Sequence, residues 1–181
     1  MIDVLTSDGV RAAEQTAMDG GITETMLRIN ASLAVTDAVT ERLKGKPAKI
    51  AVFCGHGGNG CDGLLAVYRL FRSGYAATAY LTSDICRYDD KTLALVKSSG
   101  ATVTNASEYR GGADIVIDAI FGIGLNRNVD GSTATLIQKL NADKKAFRLA
   151  VDIPSGLNAD TGEVMGVAFN AHVTLSFSCY K

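Results

Sequence analysis

The chain has 181 residues, a formal net charge of −1 at pH 7, and 47% hydrophobic against 20% charged residues. This length fits a single domain over residues 1–181, and the composition supports a buried core rather than a disordered chain. Lys and Arg are scattered along the chain, which excludes a polybasic surface for nucleic acid or membrane. No apolar run approaches the roughly 20 residues needed to cross a bilayer.

Cysteine usage and the first residues indicate the cellular compartment. Met1–Gly9 contains two acidic residues and no cationic, apolar signal pattern. Neither a C-x-x-C pair nor a zinc-ligand spacing occurs among the four cysteines, which are Cys54, Cys61, Cys86 and Cys179. Free thiols are typical of a reducing compartment, so we expect a cytoplasmic protein.

Residues 6–43 carry the periodicity of two helices. Ser7 and Asp8 can cap the first helix, and a glycine pair ends it. The second helix begins near Thr23 or Thr25 and ends before a Lys-Pro pair, because a residue before proline disfavours the α region. Both helices precede the first strand, so they either cover one sheet face or supply a dimer contact.

A glycine-rich stretch follows the first predicted strand, Ile50–Phe53, and precedes an amphipathic helix from about Leu64 to Ser73. Five glycines lie within nine residues, at Gly55, Gly57, Gly58, Gly60 and Gly63. Glycine accepts positive φ and lets a ligand lie against the backbone, while the helix N-terminus attracts anions. A tight turn needs only one or two glycines, so five favour a binding loop.

From residue 76 onward, strands alternate with helices. The predicted strands are Ala76–Leu81, Ala101–Thr104, Ile115–Ile117, Phe147–Val151 and His172–Phe177. Asp89 and Asp90 can open one helix, and Ser132 can cap another that reaches about Asn141. This alternation predicts an α/β fold with a parallel sheet and helices on both faces, whose ligands bind at the carboxyl ends of the strands.

Two later strands end in loops with chemically useful side chains. Asp118 and Asp152 directly follow apolar runs, where they could serve a site or merely cap turns. Gly122 and Gly124 offer free amides for a phosphate, or act only as hinges. Arg127 could bind substrate or be a solvated charge.

Oxygen ligands dominate this predicted edge of the sheet. His56 is interpreted as a loop residue and His172 as part of a strand, and no nucleophile–His–acid set has suitable spacing. Oxygen groups suit acid–base chemistry or a hard cation better than thiol or zinc chemistry. The oxygen-bearing candidates are Asn59, Asp62, Asp118, Asp152 and Ser155.

The three loops read GHGGNGCDGLLAVYRL, DAIFGIGLNRNVDG and VDIPSGLNADTG. They resemble motifs of the NAD(P)H-hydrate epimerases, the YjeF N-terminal domain family. Those motifs run approximately G-x-G-N-N-G-G-D-G-L-x-A-A-R-x-L, D-A-[IL]-F-G-x-G-L-x-R-x-[VI]-x-G and V-D-[IL]-P-S-G-L-[DN]-A-[DN]-T-G. The opening AAEQTAMDGG is also similar to the family, so the resemblance covers nearly the whole chain.

The resemblance implies a Rossmann-like three-layer αβα fold with a mostly parallel central sheet and extra N-terminal helices. It further implies an isomerase that epimerises the hydrated nicotinamide ring of damaged NADH and NADPH, called NADHX and NADPHX. Asp152 is then the expected catalytic acid/base. The implied substrate-binding residues are Gly58, Asn59, Gly60, Cys61, Asp62, Gly122, Ile123, Gly124, Leu125, Asn126, Arg127, Asn128 and Asp152.

The resemblance also implies a cofactor and partners. Asn59, Asp118 and Ser155 match the family's potassium ligands, with one K⁺ per subunit. We expect a homodimer and a fused or separate NAD(P)H-hydrate dehydratase that uses ADP or ATP. Nucleic-acid and membrane partners are not expected.

The chain departs from the family pattern at several positions. Gly58 and Cys61 replace an Asn and a Gly of the glycine loop, which removes a possible hydrogen bond and adds a β-carbon near the expected ligand. Ile29 and Ser32 replace a usual Glu and Gly, and Asn128 stands where proline is common. The chain stops at SFSCYK, where relatives continue with K-P-G and a further strand, so we expect a truncated chain.

Two other functions were weighed against the epimerase. A non-catalytic nucleotide- or metabolite-binding module, or a scaffold, could use the same fold, and weakened turnover would favour it. A NAD-dependent dehydrogenase is disfavoured, because the glycines lack G-x-G-x-x-G spacing and the region Thr82–Asp84 is not a clean match to the ribose-binding acid. The sequence also offers no clear hydride-transfer partner. The loop from Asp152 to Ser155 beside Asp118 favours the enzyme.

Overall fold

The computed structural model describes residues 4–177, in which six strands form one sheet flanked by helices. The helices are α1 (Ser7–Asp19), α2 (Glu24–Leu43), α3 (Gly58–Arg72), α4 (Asp90–Ser98) and α5 (Gly131–Ala142). The strands are β1 (Lys49–Cys54), β2 (Ala76–Leu81), β3 (Thr102–Asn105), β4 (Ile115–Ala119), β5 (Phe147–Val151) and β6 (Val173–Leu175). The α/β class and the predicted alternation of strands and helices are confirmed.

The strand order is β3-β2-β1-β4-β5-β6, and each of these neighbouring pairs is parallel. This is the order of Rossmann-type sheets, in which the chain reverses direction across the sheet between β1 and β4. Loops that leave β1 and β4 therefore diverge to opposite faces and open a crevice at the carboxyl edge. The Rossmann-like prediction is confirmed.

Two apolar layers enclose the sheet because β1 and β4 are buried on both faces. On one face, α2 and α3 pack against alternate strand residues, through Val35, Val39, Leu64, Val67, Ile50 and Ile117. On the other face, α5 covers the remaining alternate residues, through Ile137, Leu140, Phe53 and Val116. The sheet thus forms the middle of three layers.

Helix α2 covers one face of the sheet, which confirms one of the two roles predicted for the N-terminal helices. Ser32 is fully buried between α2 and α3 and accepts a hydrogen bond from Arg69 Nε at 2.9 Å. The serine that departs from the family pattern therefore joins the two helices. The dimer contact stays a prediction.

The start of α3 differs from the prediction, since it lies at Gly58 rather than near Leu64. None of the five glycines here has positive φ, so the conformational reason given for them is wrong. Close packing explains two of them instead. A β-carbon on Gly60 would lie 1.6 Å from Gly55 O, and one on Gly63 would lie 2.6 Å from Ala119 Cβ.

Predicted helix caps were partly wrong. Thr6 caps α1 instead of Ser7 or Asp8, and its hydroxyl accepts the Gly9 N–H at 3.2 Å. Asp130, rather than Ser132, is the N-cap of α5. The predicted opening of α4 is confirmed, because the Asp89 carboxylate accepts the N–H of Thr92 at 2.7 Å.

Cysteines and chain ends complete the description. Cys54 and Cys61 are buried free thiols and Cys86 is an exposed one, whereas Cys179 lies outside the described residues. The predicted continuation beyond Lys181 also lies outside them. Within residues 4–177, no helix combines the length and apolar character needed to cross a membrane.

Candidate active site

A cavity of about 810 Å³ lies at the carboxyl edge of the sheet. Its walls come from the loops after β1 and β4, from Asp152 after β5, and from α1 and α2. The N-terminal helices therefore contribute to the site as well as to the fold. This position matches the crevice expected where a parallel sheet reverses its strand order.

The N-terminus of α3 opens into this cavity. Its N-cap, Gly57, provides no capping side chain, and the first turn of the helix holds no acidic residue. A β-carbon on Gly57 or Gly58 would meet nothing within 4 Å. Unpaired amides at such a terminus favour an anion, and these two glycines leave room for it to approach the backbone.

Most of the residues predicted to bind substrate line the cavity. These are Gly58, Asn59, Asp62, Gly122, Ile123, Gly124, Leu125, Asn126, Arg127 and Asp152. Three others lie outside its lining. Gly60 packs on Gly55, Cys61 is buried, and Asn128 packs near Gly166 instead.

The Cys61 side chain faces α2, where it hydrogen-bonds the Arg28 side chain. Burial raises the pKa of this thiol, while the nearby guanidinium opposes the shift. The Cys61 β-carbon was predicted to lie where a ligand approaches. The structure instead places this residue in the contact between two helices.

The three predicted potassium ligands converge on the start of the β4 loop. Asp118 Oδ1 accepts the Ser155 hydroxyl at 2.6 Å, and its Oδ2 accepts the Ser155 N–H at 2.8 Å. The Phe121 N–H donates to Ser155 Oγ at 2.8 Å, while Phe121 O accepts Asn59 Nδ2 at 3.0 Å. One backbone residue thus joins the glycine loop to the Asp118–Ser155 pair.

This cluster has the properties of a cation site. Asp118 is fully buried, and no salt bridge reaches it among residues 4–177. Burial raises its pKa to about 6, although hydrogen bonds from Ser155 and Ile120 lower it. Asn59 Oδ1 is also buried and has no hydrogen-bond partner within the described structure. A buried carboxylate, an orphaned amide oxygen and a hydroxyl fit a hard cation.

The same residues do not fit a transition metal. No group of three or more His, Cys, Asp or Glu side chains could hold a metal ion within residues 4–177. Zinc and related ions prefer nitrogen or sulfur ligands, which this cluster lacks.

Asp152 begins the loop after β5 with strained backbone geometry. Its φ is 69°, in the left-handed region that aspartate tolerates better than most residues. The Asp152 N–H donates to Leu175 O at 2.7 Å, and the Ser176 hydroxyl donates to Asp152 O at 2.9 Å. These bonds hold the turn that directs the carboxylate into the cavity. Strain of this kind is typical of functional positions.

A second carboxylate, Asp62, lines the cavity from α3. Burial raises its pKa to about 7; Arg28 opposes this rise, whereas Asp152, Glu14 and Glu24 add to it. Asp62 Oδ1 is buried without a hydrogen-bond partner in the described part of the chain. A carboxyl group that titrates near neutrality can take part in proton transfer.

The N-terminal helices contribute side chains to this site that were not predicted from the sequence. Glu14, Glu24 and Arg28 all line the cavity. Arg28 donates to Glu24 at 2.5 Å, an i, i+4 pair that the sequence spacing could have indicated. Nothing in the sequence, however, placed that pair beside Asp62.

The two histidines lie in different settings. His56 lies at the rim of the cavity, where it contacts Ser83 and Arg87. His172 stacks on Phe147 with ring centroids 5.3 Å apart and accepts the Arg148 N–H at 2.9 Å. His172 was predicted to belong to a strand, but it lies one residue before β6, so that prediction is wrong by one residue; it is not among the residues that line the cavity.

Comparison with solved structures supports the fold. The crystal structure of the yeast protein ynu0 (YNL200c) superposes with a TM-score of 0.88 at 22% identity, over 99% of this chain and 82% of that one. Similarity at this level of identity concerns architecture.

Comparison of sequences identifies curated relatives. The NAD(P)H-hydrate epimerase of Limosilactobacillus fermentum is 39% identical over 98% of this chain and 88% of its own length. That of Oenococcus oeni is 31% identical over 89% of this chain and 78% of its own. The bifunctional NAD(P)H-hydrate repair enzyme Nnr of Thermofilum pendens is 34% identical over 89% of this chain, which spans 32% of that enzyme.

The family described as YjeF-related protein N-terminus matches residues 24–181. The match includes the glycine loop, both aspartate loops and all of α2. The chain belongs to the YjeF-related protein N-terminus family.

Proposed function

We propose that this protein is an NAD(P)H-hydrate epimerase, an isomerase that interconverts the R and S forms of hydrated NADH and NADPH. The observation that carries the proposal is the strained Asp152 turn, whose carboxylate shares one cavity with the amides at the α3 N-terminus. The names of relatives that cover most of the chain support the same activity.

The cavity offers separate places for the two chemical parts of this substrate. Gly57 and Gly58 at the start of α3 suit the pyrophosphate, because free amides and the helix dipole favour negative charge. The segment Gly122–Arg127 forms the facing wall and adds a cationic side chain. The hydrated ring then lies beside Asp152, across the crevice.

Asp152 is the proposed catalytic acid/base. Its carboxylate takes a proton from the hydrated ring and returns one, so the epimerised product has the same composition as the substrate. Asp62 lies in the same cavity with its pKa raised to about 7 by burial, which allows it to hold a proton near neutral pH.

Asn59, Asp118 and Ser155 are the proposed potassium ligands. The orphaned Asn59 Oδ1 and the buried Asp118 carboxylate support this assignment. When bound, a monovalent cation would supply positive charge beside the Phe121 backbone. It would thereby help to order the loop that carries Gly122.

The remaining proposals concern partners and location. The bifunctional relatives support cooperation with a fused or separate ADP- or ATP-dependent dehydratase that consumes one epimer. Exposed apolar side chains along α2, at Met26, Ile29 and Leu33, support a homodimer contact. Free thiols at Cys54, Cys61 and Cys86 support a cytoplasmic location.

The test is proton NMR of an R/S mixture of NADHX after a dehydratase has consumed the S form. The added protein is expected to restore the S signal within minutes in potassium buffer, far faster than the mixture alone. A rate equal to that of the mixture alone, for a chain extended beyond Lys181 as well, contradicts an epimerase. Retained binding of the dinucleotide would then favour a non-catalytic binding module.

A further inference from the structure

Arg87 and His56 are in contact on the β2 side of the cavity, and Arg127, from the loop after β4, adds a second cationic side chain close enough to act on His56; these three residues are called the cationic cluster. Arg87 lies just beyond β2, while His56 and Arg127 line the cavity. Arg87 Nη2 and His56 Nε2 are 2.9 Å apart, and His56 Nδ1 is 3.1 Å from Ser83 Oγ. Because a guanidinium can only donate, His56 Nε2 accepts, so the ring proton lies on Nδ1 and faces Ser83.

The positive charge of this cluster is uncompensated. Burial lowers the pKa of His56, and the charges of Arg87 and Arg127 lower it further. Neither arginine forms a salt bridge among residues 4–177, and Asp84, which is nearby in sequence, does not pair with Arg87. His56 is therefore neutral, and it positions the Arg87 guanidinium beside the cavity without neutralising the positive charge of that guanidinium. Guanidinium groups without a carboxylate partner suit a phosphate.

The location of the cluster indicates which phosphate it would meet. In the sheet order, β2 and β5 lie on opposite sides of the β1–β4 crevice. A dinucleotide with its hydrated ring at Asp152, after β5, extends its adenosine half across β1 towards β2. In Rossmann-type sites, an acid after β2 binds the 2′-hydroxyl of the adenine ribose, whereas an arginine accommodates a 2′-phosphate. Both Asp84 and Arg87 lie in that region, and Arg87 is the one that contacts His56 at the rim of the cavity.

We propose that Arg87 and Arg127, with His56 as a positioning residue, form a subsite for the 2′-phosphate of NADPHX. This inference rests on the proposed function for the substrate, but the subsite can be tested without turnover. The protein then favours the phosphorylated dinucleotide over NADHX.

The first experiment measures binding of adenosine 2′,5′-bisphosphate and 5′-AMP by titration calorimetry. Both probes carry the 5′-phosphate, so the difference between them isolates the 2′-phosphate. Wild type is expected to bind the bisphosphate more tightly, and Arg87→Ala to weaken it by roughly ten- to a hundredfold while leaving 5′-AMP unchanged. Arg87→Lys should recover part of the loss, because it keeps the charge.

Arg72→Ala is the matched control. Arg72 is exposed in the last turn of α3, at the end opposite the cavity, and its replacement removes the same charge. It should bind both probes like wild type. Equal affinities of wild type for the two probes, or equal weakening of both by Arg87→Ala, would overturn the 2′-phosphate assignment. The second result would place Arg87 at the 5′-phosphate instead.

The kinetic arm compares kcat/KM for NADPHX and NADHX. Arg87→Ala should lower the NADPHX value through a higher KM and leave kcat and the NADHX value unchanged. Equal losses for the two substrates contradict the proposal. If wild type binds the 2′-phosphate selectively but epimerises neither substrate, the subsite stands and the proposed function fails.

Discussion

The carboxylate of Asp152, in the loop after β5, lies directly against Gly122, in the loop after β4. A β-carbon on Gly122 would be 3.0 Å from Asp152 Oδ2 and 3.4 Å from Asn59 Cβ. Gly122 does not have positive φ, so its lack of a side chain serves this close approach rather than its backbone conformation. The glycine of the second motif therefore sets the position of the proposed catalytic group.

Gly122→Ala tests that relationship. The added methyl group displaces the Asp152 carboxylate by a few tenths of an ångström, so kcat/KM should fall about tenfold or more while the unfolding temperature changes little. Gly124→Ala is the control in the same loop, because a β-carbon there meets nothing within 4 Å and φ is not positive. Equal activities of the two variants would show that the contact does not matter.

Replacing Gly60 or Gly58 at the start of α3 should change the free energy of unfolding by different amounts. Gly60→Ala places a β-carbon 1.6 Å from a backbone oxygen, so unfolding in urea should reveal a loss of at least about 3 kcal/mol. Gly58→Ala meets open space within the helix and should change stability by no more than about 1 kcal/mol. Because Gly58 lines the cavity, its variant should lose substrate affinity instead. Similar stability losses in both would contradict this packing.

Asp62 should make stability depend on pH. Its pKa in the folded protein is about 7 against an ordinary 3.8, so the folded state holds a proton that the unfolded state releases. The free energy of unfolding should therefore fall as pH rises from about 4 through 7, by roughly 4 kcal/mol in total. Asp62→Asn removes this contribution.

Urea unfolding at pH 5 and pH 8 measures the effect. The gain of Asp62→Asn over wild type should be larger at pH 8 than at pH 5. Asp37→Asn, which changes an exposed carboxylate on α2, is the control and should show no such difference. A pH-independent gain for Asp62→Asn would mean that this carboxyl group is not perturbed in the folded protein.

Potassium should stabilise the folded protein through Asn59. The unfolding temperature of wild type should rise with added KCl more than with choline chloride at equal ionic strength, because an ion that binds only the folded state stabilises it. Asn59→Ala loses the orphaned oxygen and one hydrogen bond to Phe121 O, so its unfolding temperature without potassium should be lower than that of wild type. The quantity to compare is the potassium increment, the rise in unfolding temperature that KCl causes beyond choline chloride, and it should disappear in this variant. An undiminished increment would exclude Asn59 as a ligand.

Much of the sheet and its site could be predicted from the sequence. Short apolar runs ending in Asp118 and Asp152 identified strands that are buried on both faces, and alternation with helices predicted that their ends would meet. The start of α3 could not be predicted in this way. Its glycines are required by tertiary contacts, such as the packing of Gly60 against Gly55. Local helix propensity carries no information about such contacts.

The contribution of α1 and α2 to the walls of the cavity was the other feature that could not be predicted from the sequence. Glu14 lies on α1 and Arg28 on α2, and neither was assigned a binding role from the sequence. Tertiary packing, such as that of α2 on α3, brings Arg28 close to Asp62. Arg87 likewise lies in a short 3₁₀ turn that no motif covers. Residues that reach a site from separate elements leave no spacing signal in the chain.

The central claim is that the Asp152 carboxylate catalyses epimerisation of hydrated NADH. The most direct measurement is the initial rate of S-form recovery by NMR for wild type and Asp152→Asn, with dinucleotide affinity measured in parallel. For Asp152→Asn we expect kcat to fall about a hundred- to ten-thousandfold while the dinucleotide affinity stays nearly unchanged. An Asp152→Asn variant that epimerises at the wild-type rate would contradict it.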